Sequence, residues 1–125
     1  MDTIGAMNIL QQTAIFAQWL DRLADLKGKV RIAARINAAQ TGHFGDCAPV
    51  GEGVYEMRID FGPGYRVYYM REGAIVYLLL CGGNKSSQKT DIRRAHQLAL
   101  DVRAQRFDGT GDPAESKTGR KARKG

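Results

Sequence analysis

The sequence predicts an α+β domain in which helices pack on one face of a small, mostly antiparallel sheet, in the order β-α-α-β-β-β-β-α. Three observations carry this reading. Apolar residues recur at three- and four-residue steps over residues 16–40 and again from residue 88, which is helical spacing. Between those blocks the period switches to two, in "VYEMRIDF" and "YRVYYM", with Gly- and Pro-containing connectors. A length of 125 residues without an internal repeat suits one domain with a core.

"NILQQT" reads as a short first strand. Phe16, Trp19, Leu20, Leu23 and Leu26 then mark an amphipathic helix with Asp21, Arg22 and Asp25 between them, and Gly28 is expected to interrupt it. From Lys29 to about Gln40, Ile32, Ile36 and Ala39 form the buried stripe of a second helix, with Gly42 as its stop signal. Lys27, Arg31 and Arg35 follow i, i+4 spacing on another face, a basic stripe better explained by solvent than by phosphate.

Residues 44–50 are read as a second strand and 53–61 as a third, with Tyr55, Met57, Ile59 and Phe61 inward and Glu56, Arg58 and Asp60 outward. "GPG" at 62–64 turns the chain into a return strand with Tyr65, Val67 and Tyr69 inward and Arg66, Tyr68 and Met70 outward. "AIVYLLLC" is almost continuously apolar, as in a central strand buried on both faces, and is expected to end at Cys81 with Gly82 and Gly83 as a tight turn. A last helix over about 88–102 turns Ile92, Ala95, Ala99 and Val102 inward, with Ser86 or Ser87 as its N-cap and Asp91 in its first turn.

The domain is therefore set at residues 1–102. Residues 103–125 hold seven basic residues against three acidic ones and almost nothing apolar after Phe107, so a disordered basic tail is expected there. Most of the formal charge of +6 belongs to that tail. No apolar run approaches the roughly 18 residues of a membrane span, and the N-terminus lacks a basic and then apolar leader. A cytoplasmic protein without membrane contact is expected. Cys47 and Cys81 stand alone, which suits small packing thiols and gives no metal or cofactor pattern. His43 and His96 lie before the hairpin and inside the last helix, which argues against a His-pair mechanism.

Strand parity places Arg58, Arg66 and Tyr68 on one face, and a loop centred on Gly62 sets Arg58 directly opposite Arg66. Like charges so placed are destabilising. Either an anion is gripped by two forked guanidiniums, or Glu56 and Asp60 pair with the arginines in a surface lattice. The corner "CGGNKSSQK" adds a helix N-terminus with Lys85 beside it, an arrangement that suits phosphate although it is not a Walker A pattern.

The run "GVYEMRIDFGPGYRVYYMREGAIVYLLLCGGNKSSQKTDIRRA", preceded by "FAQWLDRL" and "HFGDCAPVGEG", resembles the addiction-module killer proteins of the RelE/ParE superfamily, close to the HigB-type toxins. Its motifs, E-[LM]-R-I, then G-x-G-Y-R-V-Y, then L-L-x-G-G-[DN]-K-x-x-Q, stand at that family's spacing, and the resemblance covers roughly residues 8–102. It implies an N-terminal helical hairpin, a small sheet and a C-terminal helix. It also implies a type II toxin–antitoxin toxin: a ribosome-dependent, metal-independent mRNA endoribonuclease that inhibits translation. The implied partners are the ribosome, mRNA and a cognate antitoxin, expected as a helix-turn-helix protein in a hetero-oligomer with the toxin.

The matched polar residues are Glu56 and Arg58, then Tyr65, Arg66 and Tyr68, then Asn84, Lys85 and Gln88. Met57 replaces a common Leu, and Asn84 stands where the family often has Asp, which removes a carboxylate from the rim. Arg58, Arg66 and Lys85 are the candidates for phosphate binding and transition-state charge, Tyr68 for proton donation or stacking, and Glu56 for a base or a holder of arginine. Tyr65, Asn84, Gln88, Lys89, Arg31 and Arg35 complete the expected RNA contacts. A ParE-like inhibitor of DNA gyrase, or a non-catalytic module that binds nucleic acid or antitoxin, are the alternatives.

Overall fold

The computed structural model describes residues 7–107. Strand β1 (Ile9–Gln12) leads into helices α1 (Ala14–Arg22) and α2 (Leu26–Gln40). Thr13 starts α1 by accepting from the Phe16 amide at 2.9 Å, while its hydroxyl donates to the Leu80 carbonyl at 2.7 Å and ties the helix to the sheet. The break between the helices falls at residues 23–25 and not at Gly28. Asp25 is the cause: its carboxylate accepts from the Gly28 amide at 3.0 Å and begins a new helix. Gly28 lies buried inside α2 because a Cβ there would come within 2.6 Å of the Tyr65 ring.

Strands β2 (Cys47–Gly51), β3 (Val54–Ile59), β4 (Tyr65–Arg71) and β5 (Val76–Asn84) run as an antiparallel meander, and β1 joins β5 in parallel. The result is a five-stranded sheet of order β1-β5-β4-β3-β2. A 3-10 turn at Lys85–Ser87 connects β5 to helix α3 (Gln88–Phe107). The α+β class and the element order are those the sequence predicts.

The layering differs from the expectation of helices on one face. Phe16, Ile32, Ile36 and Ala39 of α1 and α2 pack with Met57, Ile59, Tyr65, Val67, Tyr69 and Leu79. Ala95 and Ala99 of α3 pack with Val54, Tyr68, Met70, Leu80 and Cys81 in a second cluster. The outward residues of the hairpin thus lie largely beneath α3, and Glu56, Tyr68 and Met70 are buried. Tyr55 departs in the other direction. Expected inward, it is 40% exposed, with its ring stacked on Tyr69.

Strand β5 also corrects the sequence reading. It continues past Cys81 through Gly82 and Gly83, which pair with Val67 and Arg66 in place of turning. Lack of room explains both glycines: a Cβ at 82 would stand 2.4 Å from the Trp19 ring, and one at 83 would stand 1.8 Å from Asp91 Oδ2. A register shift opposite Tyr68 and Tyr69 leaves Leu80 as an extra residue in β5. Leu80 and Cys81 consequently share the α3 core.

Helix α3 runs past the boundary set at residue 102 and ends at Phe107, with the Arg103 guanidinium donating to the Glu52 carbonyl at 2.6 Å. The remainder of the expected tail, 108–125, lies outside the described residues. Among the described residues no helix is long and apolar enough to cross a membrane.

Candidate anion site on the hairpin

Arg58 and Arg66 stand directly opposite each other in the β3–β4 register. The residue that organises them is Glu56, which is 0% exposed. Its Oε1 accepts from Arg58 Nε at 3.0 Å, and its Oε2 accepts from the Tyr68 hydroxyl at 2.9 Å and from Gln88 Nε2 at 2.7 Å. Arg66 Nε lies 3.9 Å from Oε2. Four of these side chains come from β3 and β4, and Gln88 is the first residue of α3. The cluster therefore exists only where α3 docks on the sheet.

Burial by itself would push the Glu56 carboxyl up, but hydrogen bonds from Gln88, Arg58 and Tyr68, with the charge of Arg66, hold it below its ordinary value. Glu56 is ionised at neutral pH. Burial, and then the bond to Glu56, push the Tyr68 phenol far above its ordinary value, so it remains a neutral donor. The Glu56 bond likewise raises Arg58.

The two arginines are held differently. The Arg58 side chain is 41% exposed and also reaches Asp46 at 3.7 Å. Arg66 is 12% exposed, its Nε is buried without a hydrogen-bond partner, and its Nη1 reaches only the Gly64 and Tyr65 carbonyls, each at 3.4 Å. Those distances are long for a hydrogen bond. The fold leaves much of the Arg66 donor capacity unused.

Lys85 is exposed at the end of β5. A Cβ built on Gly64 would lie 3.3 Å from Lys85 Cβ and 3.6 Å from Arg66 Nη1, so the two basic side chains flank one turn glycine, whose φ is +82°. Asn84 closes the corner structurally. Its Oδ1 accepts from the Ser86 amide at 2.9 Å and the Ser86 hydroxyl at 2.7 Å, and its own amide donates to Ser87 Oγ at 3.3 Å. Asn84 thus caps this turn, with Ser87 completing a capping box. Ser87 Oγ also donates to Asp91 Oδ2 at 2.5 Å.

Glu56, Arg58, Arg66, Tyr68 and Gln88 therefore meet, with Lys85 at the rim, Asn84 beside it and exposed Lys89 next to Gln88. Three expected RNA contacts lie elsewhere. Tyr65 is buried against the α1 and α2 layer, where its hydroxyl donates to Asp25 Oδ2 at 2.7 Å, and that bond, then burial, pushes the phenol up to about 12. Arg35 clamps the segment before β2, donating to the carbonyls of Arg58, Phe44 and Asp46. Arg31 lies over the Phe61 ring, 4.6 Å from its centroid.

Sequence reasoning missed Asp46 as a second partner of Arg58 and Gly64 as the meeting point of Arg66 and Lys85. The second was signalled by "GPG". Burial pushes the Cys81 thiol up to about 12, so it remains a packing thiol. His96 is taken up by the Val50 carbonyl at 2.8 Å. Among the described residues no group of three or more His, Cys, Asp or Glu side chains is placed to hold a metal ion.

Comparison with known protein families places the chain among small toxin–antitoxin-associated proteins related to the RelE/ParE-type toxins. Within that class the chain belongs to the Gp49-like phage-derived protein family (DUF891), whose sequence profile matches residues 18–101. It is 44% identical over 93 residues to an uncharacterized protein of Haemophilus influenzae strain Rd, a match that covers 74% of this chain and 94% of that protein.

Proposed function

We propose that this chain is the toxin of a type II toxin–antitoxin pair, of HigB type, and that it cuts mRNA on the ribosome in the cytoplasm until a cognate helix-turn-helix antitoxin binds it. The observation that carries the reading is the opposed pair Arg58 and Arg66 on one buried carboxylate, with Lys85 beside Arg66. Two facing arginines cost stability on a sheet. Glu56 and, from 3.7 Å, Asp46 offset charge on Arg58, and the surplus of Arg66 and Lys85 is available to a phosphate.

Cleavage without metal has the 2′-oxygen form a bond to the adjacent phosphorus as the bond to the 5′-oxygen breaks. A proton leaves the 2′-hydroxyl and another reaches the 5′-oxygen. Arg66, Arg58 and Lys85 supply the charge that the phosphorane requires. Glu56 and Tyr68 are both 0% exposed and bonded to each other, so neither meets the substrate to exchange a proton. Their work is to position the guanidiniums. Proton transfer then falls to water or to ribosomal groups, which accounts for dependence on the ribosome.

The same burial favours a second reading, a binding module for gyrase or nucleic acid that performs no chemistry. Induced expression with mapping of RNA 5′ ends, with and without an antibiotic that blocks translation, separates the two. New ends that vanish when translation is blocked are the expected result. DNA breaks with intact messages would assign the face to gyrase, and growth arrest with neither would assign it to binding alone.

A further inference from the structure

Helix α2 has two apolar faces, and the core explains only one of them. Ile32, Ile36 and Ala39 are buried, but Leu26 and Val30, one turn apart, are 72% and 67% exposed. With Phe61 they floor an open groove of about 390 Å³ whose remaining lining is Lys27 and Arg31. Isolated exposed aliphatics are ordinary, whereas a contiguous patch with a polar rim marks an interaction surface.

We propose that this groove receives an acidic amphipathic helix of the antitoxin, its aliphatic side chains against Leu26, Val30 and Phe61 and its carboxylates against Lys27 and Arg31. That the helix belongs to the antitoxin rests on the toxin reading above; the chemistry of the patch does not. The charge at the rim is positive. Asp25, the nearest acid on α2, is turned inward onto Tyr65 and the Gly28 amide, which leaves exposed Asp60 as the acid beside Phe61. Arg31 is already set over the Phe61 ring, so its ordering cost is partly met before a partner arrives.

RNA fits this groove less well than a peptide. Leu26 and Val30 offer no donor, acceptor or aromatic face, and one face of Phe61 is covered by Arg31. Aliphatic anchors at one-turn spacing match a helix laid along the groove.

The test uses the full chain and two labelled synthetic helices, one with Leu at every third and fourth position flanked by Glu, the other with Lys in place of every Glu. Fluorescence anisotropy is expected to show saturable binding of the acidic helix, weakened about tenfold or more by Leu26→Ser with Val30→Ser. Lys27→Glu with Arg31→Glu should switch the preference to the Lys helix. Both pairs are solvent-facing, so each variant should keep a single cooperative unfolding transition, slightly lower in the charge-reversed pair for the lost Arg31–Phe61 contact. No saturable binding, equal binding by wild type and the serine variant, or a wild-type preference for the Lys helix overturns the proposal. A dimer in sedimentation that the serine substitutions dissociate overturns it as well, by giving the patch to a second copy. The RNA 5′-end result is independent of all these outcomes, so failure here and failure of the toxin reading are separate.

Discussion

Replacing Glu56 by Gln tests the centre of the site with almost no change of shape. The carboxylate now accepts from Arg58, Tyr68 and Gln88. An amide has one accepting oxygen, and its best placement keeps Tyr68 and Gln88 on that oxygen and turns its NH₂ toward Arg58, which then withdraws to water. Two bonds lose their charge assistance, at about 0.5–1 kcal/mol each, and the buried NH₂ is left without an acceptor, at about 1–3 kcal/mol. The total is about 2–5 kcal/mol, or roughly 10–40 °C in Tm for a domain of this size. Glu56 sits below its ordinary value of 4.5 in the fold, so its contribution is complete above that pH and is lost as pH falls through the lowered value. Thermal unfolding of wild type and Glu56→Gln should therefore differ by a constant amount near neutrality and converge in acid. An unchanged Tm at neutral pH, or a gap that persists to low pH, would refute the hub role of this carboxylate.

Gly83→Ala should destabilise by about 1–3 kcal/mol or more, because the new methyl meets Asp91 Oδ2 at 1.8 Å; urea unfolding checks it, with Gly73→Ala as a comparison where the nearest atom, Val76 Cβ, lies 3.9 Å away. Arg35→Ala removes the donors to Phe44 and Asp46 and should lower Tm while leaving RNA affinity of the folded protein unchanged, as filter binding would show. The Tyr65 phenol, raised to about 12 from an ordinary 10.0, contributes stability that is complete below pH 10 and lost as pH rises toward 12. Tyr65→Phe should accordingly be less stable than wild type at neutral pH and flatter in alkali, by urea denaturation at stepped pH.

The hairpin was legible because two constraints agree: period-two patterning fixes which side chains share a face, and the turn around Gly62 fixes the register. Together they place Arg58 opposite Arg66, as observed. The face beneath α3 was not legible, since Ala95 and Ala99 contribute little hydrophobic signal and Glu56, Arg58 and Arg66 read as a wet surface. Only tertiary packing shows that Tyr68 and Gln88 enclose the Glu56 carboxylate. Gly82 and Gly83 misled for a similar reason. Local chemistry reads a Gly pair as a turn, whereas here Trp19 and Asp91 exclude side chains from a continuing strand. Arg35 belonged to a regular basic stripe, and its carbonyl partners are distant in sequence or in an irregular segment. Tyr65 was already separated from Arg66 and Tyr68 by strand parity, and Asp25 explains where its hydroxyl goes.

The central claim is that Arg66 and Lys85 bind the scissile phosphate while the fold stands without them. Mapping RNA 5′ ends after induction of wild type, Arg66→Ala and Lys85→Ala, at matched levels of folded protein, tests it most directly. Translation-dependent ends should appear with wild type and be lost in both variants. The same ends at wild-type frequency in either variant would contradict the site.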